Sequence, residues 1–238
     1  KLMKVLGIIP ARSGSKRITD KNIRMLNNKP LIQYSIDSAI NASGLDKVIV
    51  STDSQEYAGI AKSLGVDVPF IRPGNLSIDT TPDKPVLQHA LGWLRENDNY
   101  YPDAVAMLRP TSPFRSSDLI NEVIEKFQKI DPDSIRTVSK AEGVHHPYWM
   151  YTMEDNGKAV PLDEDKNADN FFQSQMLPPV FRLNGVLDII KSSIISLPAG
   201  SLYGSNMHLF ETDPITSMDI DTEYDFISCE NLLKQGAI

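Results

Sequence analysis

Near its C-terminus the chain reads Asp219-Ile220-Asp221-Thr222. In an extended stretch, residues two apart point to the same face. Two carboxylates on one face repel unless a cation lies between them. Magnesium prefers hard oxygens and commonly bridges carboxylates to substrate phosphates. The other use of such acids is to favour the N-terminus of the helix that follows. At the opposite end of the chain, Val5-Leu6-Gly7-Ile8-Ile9-Pro10 runs straight into Ala11-Arg12-Ser13-Gly14-Ser15-Lys16-Arg17, with Lys21 and Arg24 just beyond. Several cations in one short loop repel each other unless an anion sits among them. The glycine and serines let backbone N–H groups turn towards that anion. A polyphosphate satisfies both features, and a solvated basic loop is the plain alternative. The loop is neither G-x-x-x-x-G-K-[ST] nor G-x-G-x-x-G, the better-known phosphate loops.

Other stretches carry weaker signals. Arg72 opens Arg72-Pro73-Gly74-Asn75-Leu76-Ser77. Its planar guanidinium can hydrogen-bond or stack on a base, or can serve as a surface ion pair. Arg109-Pro110-Thr111-Ser112-Pro113-Phe114-Arg115 follows an apolar run, where a ligand site or a proline-stiffened loop is expected. His145-His146-Pro147 invites a zinc reading. Adjacent histidines on a strand point to opposite faces, no cysteine is near, and His89 and His208 are remote, so zinc is not expected. Cys229 has no partner by spacing and G-x-S-x-G is missing, so no nucleophilic triad is supported.

The elements that must position these residues alternate. Val5–Pro10, Lys47–Thr52, Val66–Phe70 and Ala104–Leu108 read as strands, and Ser134–Ser139 as a further one. Helices are predicted over Pro30–Ala42, after a Ser54 cap and up to Gly65, around Leu87–Leu94, over Leu119–Phe127, and over Glu223–Lys234. Alternation of this kind predicts an α/β fold with a doubly wound, mostly parallel sheet, Rossmann-like in its handedness. The basic loop then emerges at a strand's carboxyl end, where such sheets bind ligands. Between Gly143 and Pro179 the periodicity fails amid aromatics, acids and amides, so residues 143–179 read as an excursion from a domain formed by 1–142 and 180–238.

At 238 residues and 41% apolar content the chain can bury one sizeable core. A net charge of −7 argues against a general nucleic-acid binder. One cysteine excludes an internal disulfide and a cysteine-rich zinc site. No apolar stretch is long enough for a bilayer, and Gly7, Pro10 and Arg12 interrupt any signal-peptide core after Lys1-Leu2-Met3, so a soluble, cytoplasmic chain is expected. The excursion's Tyr148, Trp149, Met150, Tyr151, Phe171 and Phe172 would form a large apolar patch on a lone chain, so a homodimer with Trp149 or Phe172 buried between subunits is expected.

The run Ile9-Pro10-Ala11-Arg12-Ser13-Gly14-Ser15-Lys16-Arg17, followed by Lys21-Asn22, resembles the opening signature of the acylneuraminate cytidylyltransferases. These are the CMP-sialic acid synthetases and relatives acting on similar nine-carbon acids. Arg-Pro-x-x-Leu with Asp79-Thr80, the Arg109 block, His145-His146-Pro147, Gln175 and Leu177-Pro178 with Arg182, Asn184 and Gly185, and the Asp219/Asp221 block extend the resemblance over most of the chain. The resemblance implies a nucleotidyltransferase fold with a dimerisation excursion, and transfer of CMP from CTP to a 2-keto sugar acid. It implies CTP on Ala11, Arg12, Ser13, Gly14, Ser15, Lys16, Lys21, Asn22, Arg72 and Thr81. It implies the acceptor on Arg109, Thr111, Ser112, Lys140, Gln175, Arg182 and Asn184, with Arg182 on its carboxylate. It implies Mg2+ (or Mn2+) on Asp219 and Asp221, with Arg12 and Lys21 assisting catalysis. The chain departs from the pattern at Arg109, where the sialic acid enzymes usually carry glutamine, which makes the acceptor open to a relative of N-acetylneuraminate. CMP-Kdo synthetases share the early loop and are the alternative within enzymes; a non-catalytic nucleotide-binding module is the alternative outside them.

Overall fold

The computed structural model describes residues 3–236, so the first two and last two residues of the main domain lie outside it. In chain order the elements are β1 (Val5–Pro10), a small hairpin of β2 (Met25–Leu26) and β3 (Lys29–Pro30), α1 (Leu31–Ile40), β4 (Lys47–Ser51), α2 (Gln55–Ser63) and α3 (Asp83–Asp98). They continue with β5 (Ala104–Met107), α4 (Ser117–Ile130), β6 (Ser134–Lys140), the hairpin β7 (Tyr151–Met153) and β8 (Ala159–Pro161), β9 (Phe181–Lys191), α5 (Ser192–Ile195), β10 (Met207–Glu211) and α6 (Glu223–Lys234).

Six strands form the main sheet in the order β10-β6-β9-β5-β1-β4. The pairs β1–β4, β1–β5 and β10–β6 are parallel, and β9 runs antiparallel to both neighbours. The period of two along β1 decides the layers. Val5 and Ile9 face a core with α1, α2 and α4, while Leu6 and Ile8 face a second core with α3 and α5. Gly7 suits close packing, because a Cβ there would stand 3.0 Å from Leu45 Cδ1, and that side chain would have to shift. Local signals fix the helix starts. Ser54 Oγ accepts from the Tyr57 N–H and Ser116 Oγ from the Leu119 N–H, each offsetting an orphan donor of the first turn. Thr222 and Asp225 form a reciprocal capping box on α6.

Three elements differ from the sequence expectation. Val66–Phe70 makes one isolated parallel bridge, Ile49 to Asp67, with a second, Thr52 to Ile71, just beyond it, and is not a strand. Pro69 has no N–H to continue a ladder. β10 was not foreseen. It is a short edge strand whose alternate residues are solvent-exposed, so it carries no core-run signal. The excursion has its own local order: β7 and β8 pair as a separate two-stranded sheet, and 3-10 turns flank it. Its His146 is buried and structural, with Nε2 against the Pro178 carbonyl at 3.0 Å and Nδ1 accepting the Tyr148 N–H at 3.2 Å. No described helix is long and apolar enough to cross a membrane.

Candidate active site

A third apolar cluster joins Ile18 from the basic loop, Leu26 and Leu31 from the β2–β3 corner, Phe114, and Ile220, Phe226 and Cys229 from the C-terminal segment. It brings the two ends of the chain together. Ile220 is fully buried in it, and its N–H donates to the Thr111 carbonyl at 2.8 Å. With Ile220 turned inward, Asp219 and Asp221 are carried on the opposite side of the extended segment. Neither caps α6; Thr222 does. Lys21 Nζ donates to the Ile220 carbonyl at 2.7 Å and to Asp221 Oδ1 at 3.2 Å, and Arg17 pairs with Asp221 Oδ2 at 3.5 Å.

Arg17, Lys21 and Asp221 border a cleft of about 530 Å³ at the carboxyl ends of β1, β4 and β5, while Asp219 lies outside its lining. It is lined by Arg12, Ser15, Lys16, Arg17, Lys21 and Asn22 from the basic loop, by Arg72, Asp79, Thr81 and Asp83 from the segment leading into α3, and by Arg109, Thr111 and Asp221. The loop is held from behind. Asp53, at the end of β4, accepts from the Ser13 N–H at 2.8 Å and from the Ser13 hydroxyl at 2.9 Å. Asn22 is buried and donates to the Arg12 carbonyl at 3.0 Å. Gly14 turns the chain with φ of 70°, a conformation that favours glycine. The backbone of the loop is thereby fixed while its cations face the cleft.

Arg72 is buried, and its N–H donates to the Thr52 carbonyl at 2.7 Å, extending the end of β4. Its Nε donates to Ser77 Oγ at 3.0 Å; among the described residues the two terminal nitrogens have no protein partner. Burial pulls its pKa below the usual arginine value, against the charge of Asp53. Such a guanidinium gains by meeting a hydrogen-bond acceptor in the cleft.

Asp219 sits where burial pushes its carboxyl above the usual range, a hydrogen bond from Thr111 draws it back, and the charge of Asp221 raises it further. A carboxylate pair of this kind is stabilised by a cation. Among the described residues no group of three or more histidine, cysteine or acidic side chains is placed to hold a metal. Two carboxylates that leave the remaining positions to phosphate oxygens and water fit magnesium.

Arg109 is tied down. Its Nη1 donates to Asp188 Oδ2 at 2.9 Å and to the Gly185 carbonyl at 3.3 Å, and its Nη2 to Asp83 Oδ2 at 2.8 Å. Burial works against its charge, but Asp188 and Asp83 outweigh that and hold it protonated. Asp188 is itself buried and also accepts from Arg136 Nε at 3.0 Å. Ser112 is buried, and its hydroxyl finds no partner among the described residues. Lys140, Gln175, Arg182 and Asn184 lie outside the cleft lining. Lys140 is exposed and pairs with Glu142 at 2.9 Å. Gln175 and Arg182 are exposed, and Arg182 stands opposite Ser139 on β9. Asn184 is buried, with its amide nitrogen spent on Ser139, Thr212 and Ser217. The sequence reading missed Asp53, Asp83 and Asp188. Asp53 ends a strand and Asp188 interrupts the apolar run Val186–Ile190, and both were visible signals.

A cleft that offers cations and hard oxygens, without a nucleophile, suits transfer of a phosphorylated group by positioning and charge stabilisation. The sequence profile of the cytidylyltransferase family matches residues 6–236, and the chain belongs to that family of nucleotidyltransferases. It is 31% identical over 98% of its length to the CMP-N,N'-diacetyllegionaminic acid synthase of Legionella pneumophila, covering 97% of that protein. It is 41% identical over 94% of its length to the N-acylneuraminate cytidylyltransferase of Escherichia coli, covering 50% of that longer protein. Among solved structures, a CMP-2-keto-3-deoxy-manno-octonic acid synthetase complexed with CTP superposes with a TM-score of 0.72 at 17% identity, covering 98% of this chain and 99% of that one. The last shares the fold.

Proposed function

We propose that the chain activates a nine-carbon 2-keto sugar acid, sialic acid or a relative, with CTP, giving the CMP-sugar and pyrophosphate. The observation that carries this is the meeting of Lys21 with Asp221 across 200 residues of sequence, at the mouth of the cationic loop. It brings a cation of the basic loop and one acid of the Asp219/Asp221 pair to one point, which supports a phosphate and metal site there. The activities for which the relatives are named support CTP as the nucleotide and a nine-carbon acid as the acceptor.

In this reading Arg72 meets the base, and Thr81 lies beside it. Arg12, Lys16 and Lys21 meet the phosphates, with the Ser13–Ser15 backbone turned by Gly14. Asp219 and Asp221 would hold Mg2+ (or Mn2+), which supplies neutralisation of phosphate charge and orientation at the α-phosphorus. The acceptor's anomeric hydroxyl attacks the α-phosphorus, its proton passing to solvent, while the bond from the α-phosphorus to the bridging oxygen breaks and pyrophosphate leaves. Lys21 lies where it stabilises the growing negative charge. Thr111 and Ser112 lie at the acceptor end. Arg109 organises that end through Asp83, whose second oxygen is left for a hydroxyl or N–H of the acceptor. Lys140, Gln175 and Arg182 then serve a cleft completed by a second subunit, paired through residues 143–179. Arg182 pairs there with the acceptor carboxylate.

The test is pyrophosphate release from CTP and magnesium, with sialic, legionaminic, pseudaminic and Kdo acids offered in turn. Turnover with one nine-carbon acid, well above that with Kdo, is the expected outcome. Turnover with Kdo alone would move the reading to the CMP-Kdo synthetases. CTP binding without turnover on any acid would overturn it.

A further inference from the structure

Two of the cations assigned to the triphosphate are already engaged, and the inference drawn from this rests on that assignment. Arg12 Nη2 lies 2.6 Å from Asp79 Oδ1, and Lys16 Nζ pairs with Asp79 Oδ2, so one carboxylate holds both cations with one oxygen each. Asp79 lines the same cleft from a different segment, the loop between Arg72 and α3. Among the described residues, Arg12 and Lys16 are its only side-chain partners. The Lys16 hydrogen bond holds its carboxyl below the usual range, so it stays ionised at neutral pH.

A carboxylate chelated by an arginine and a lysine makes the same charge-assisted contacts that a phosphate would make. Both cannot use the same donors at once. The cleft is thus spanned by a displaceable strap that joins the cationic loop to the loop that follows Arg72. Neither end of the strap is buried, so exchanging partners does not disturb a core: the Lys16 side chain is 82% exposed and that of Asp79 33%.

We propose that Asp79 is a specificity-determining stand-in anion. It competes with the β- and γ-phosphates for Arg12 and Lys16, is set aside when a polyphosphate binds, and returns as pyrophosphate leaves. A ligand that carries only an α-phosphate does not reach these donors and does not displace it. Asp79 therefore weakens retention of the product pyrophosphate and lowers the affinity for CTP by the same exchange.

The experiment measures binding of inorganic pyrophosphate and of CMP, each with magnesium, by titration calorimetry on the parent, Asp79→Asn and Asp79→Glu. It also measures inhibition of turnover by pyrophosphate. In Asp79→Asn, pyrophosphate should bind roughly threefold to tenfold tighter, the scale of two exposed ion pairs, and should inhibit at correspondingly lower concentration. CMP affinity should be unchanged, and Asp79→Glu should behave as the parent. Equal or weaker pyrophosphate binding in Asp79→Asn, with the parent binding normally, overturns the stand-in role and leaves the polyphosphate site standing. An equal gain for CMP also overturns it, since that is a general charge effect. If neither parent nor variant binds pyrophosphate, the polyphosphate site falls and the inference with it.

Discussion

At the scale of residues, the site separates groups that hold the loop from groups that meet the ligand. Asp53 and Asn22 fix the backbone of Ser13 and Arg12; Lys21, Arg72 and Asp221 face the cleft. Asp221→Asn removes charge from a half-exposed side chain and no core volume. Turnover with CTP and magnesium should fall roughly a hundredfold or more, the scale of losing one electrostatic stabiliser of a transition state. The urea midpoint should be unchanged within the effect of about 0.5 kcal/mol usual for a surface substitution. Arg72→Ala should weaken CTP binding by about tenfold to a hundredfold, the loss of a charge-assisted contact, with little change in acceptor KM. An unchanged CTP titration would reduce Arg72 to a structural cation. Beneath Arg72, His89 packs edge-on against Phe70 with ring centroids 4.6 Å apart. Burial, then the charge of Arg72, holds its imidazole below the usual pKa. The unfolded chain therefore takes up this proton first as pH falls. The contribution of neutral His89 is fully present above the unfolded pKa of about 6.5 and is lost as pH drops below it. Between about pH 7.5 and about pH 5.5, His89→Gln should lose less stability than the parent. Parallel losses in both proteins would count against it.

At the scale of elements, α6 does two things. Its apolar residues Phe226 and Cys229 close the third core cluster, and its cap sets the segment that carries the acids. Asp225 accepts from the Asp221 N–H at 3.2 Å and from the Thr222 N–H at 2.8 Å. Thr222→Ala should cost about 1 kcal/mol of stability, as expected for a lost N-cap. Because the cap adjoins Asp221, the variant should also need more magnesium for half-maximal rate. A change in stability alone, with the magnesium dependence unmoved, would show that Ile220 by itself fixes the acids. On the other side of the cleft, α3 enters at Asp83, which is clamped to Arg109 on the loop after β5. This clamp explains how the charge of an arginine is accommodated at this position. Its charge is spent inside the protein, on Asp83 and Asp188.

At the scale of the whole molecule, the excursion leaves large apolar side chains in water. Phe172 is 65% exposed, Val144 75% and Met153 79%. Trp149 instead folds back, donating its indole N–H to the Phe171 carbonyl at 2.5 Å, while Tyr148 and Phe171 pack ring to ring. Phe172 is therefore the better candidate anchor for a second subunit. Sedimentation at micromolar concentration should show a dimer, and Phe172→Asp should shift it towards monomer with loss of turnover at low concentration. A fully active monomer would rule out both the interface and a shared acceptor site.

The sequence by itself determined the local elements and their chemistry. Ser54 marks a helix start through its own hydroxyl, the short apolar run of β1 reads as a buried strand, and the cationic loop follows it without an intervening element. Those are short-range effects, set by residues a few positions apart, and the resemblance of the motifs carried the family. What only the tertiary structure decided are the pairings across long stretches of chain. Asp79 on Arg12 and Lys16, Asp188 between Arg109 and Arg136, and Lys21 on Asp221 depend on where strands and loops dock. The antiparallel course of β9 and the edge position of β10 were equally out of reach, because backbone ladders form between any extended segments and leave little trace in side-chain pattern. The resemblance named Arg109 as an acceptor ligand; docking decided that two carboxylates would hold it, since a charge brought into a crowded site must find its partner there.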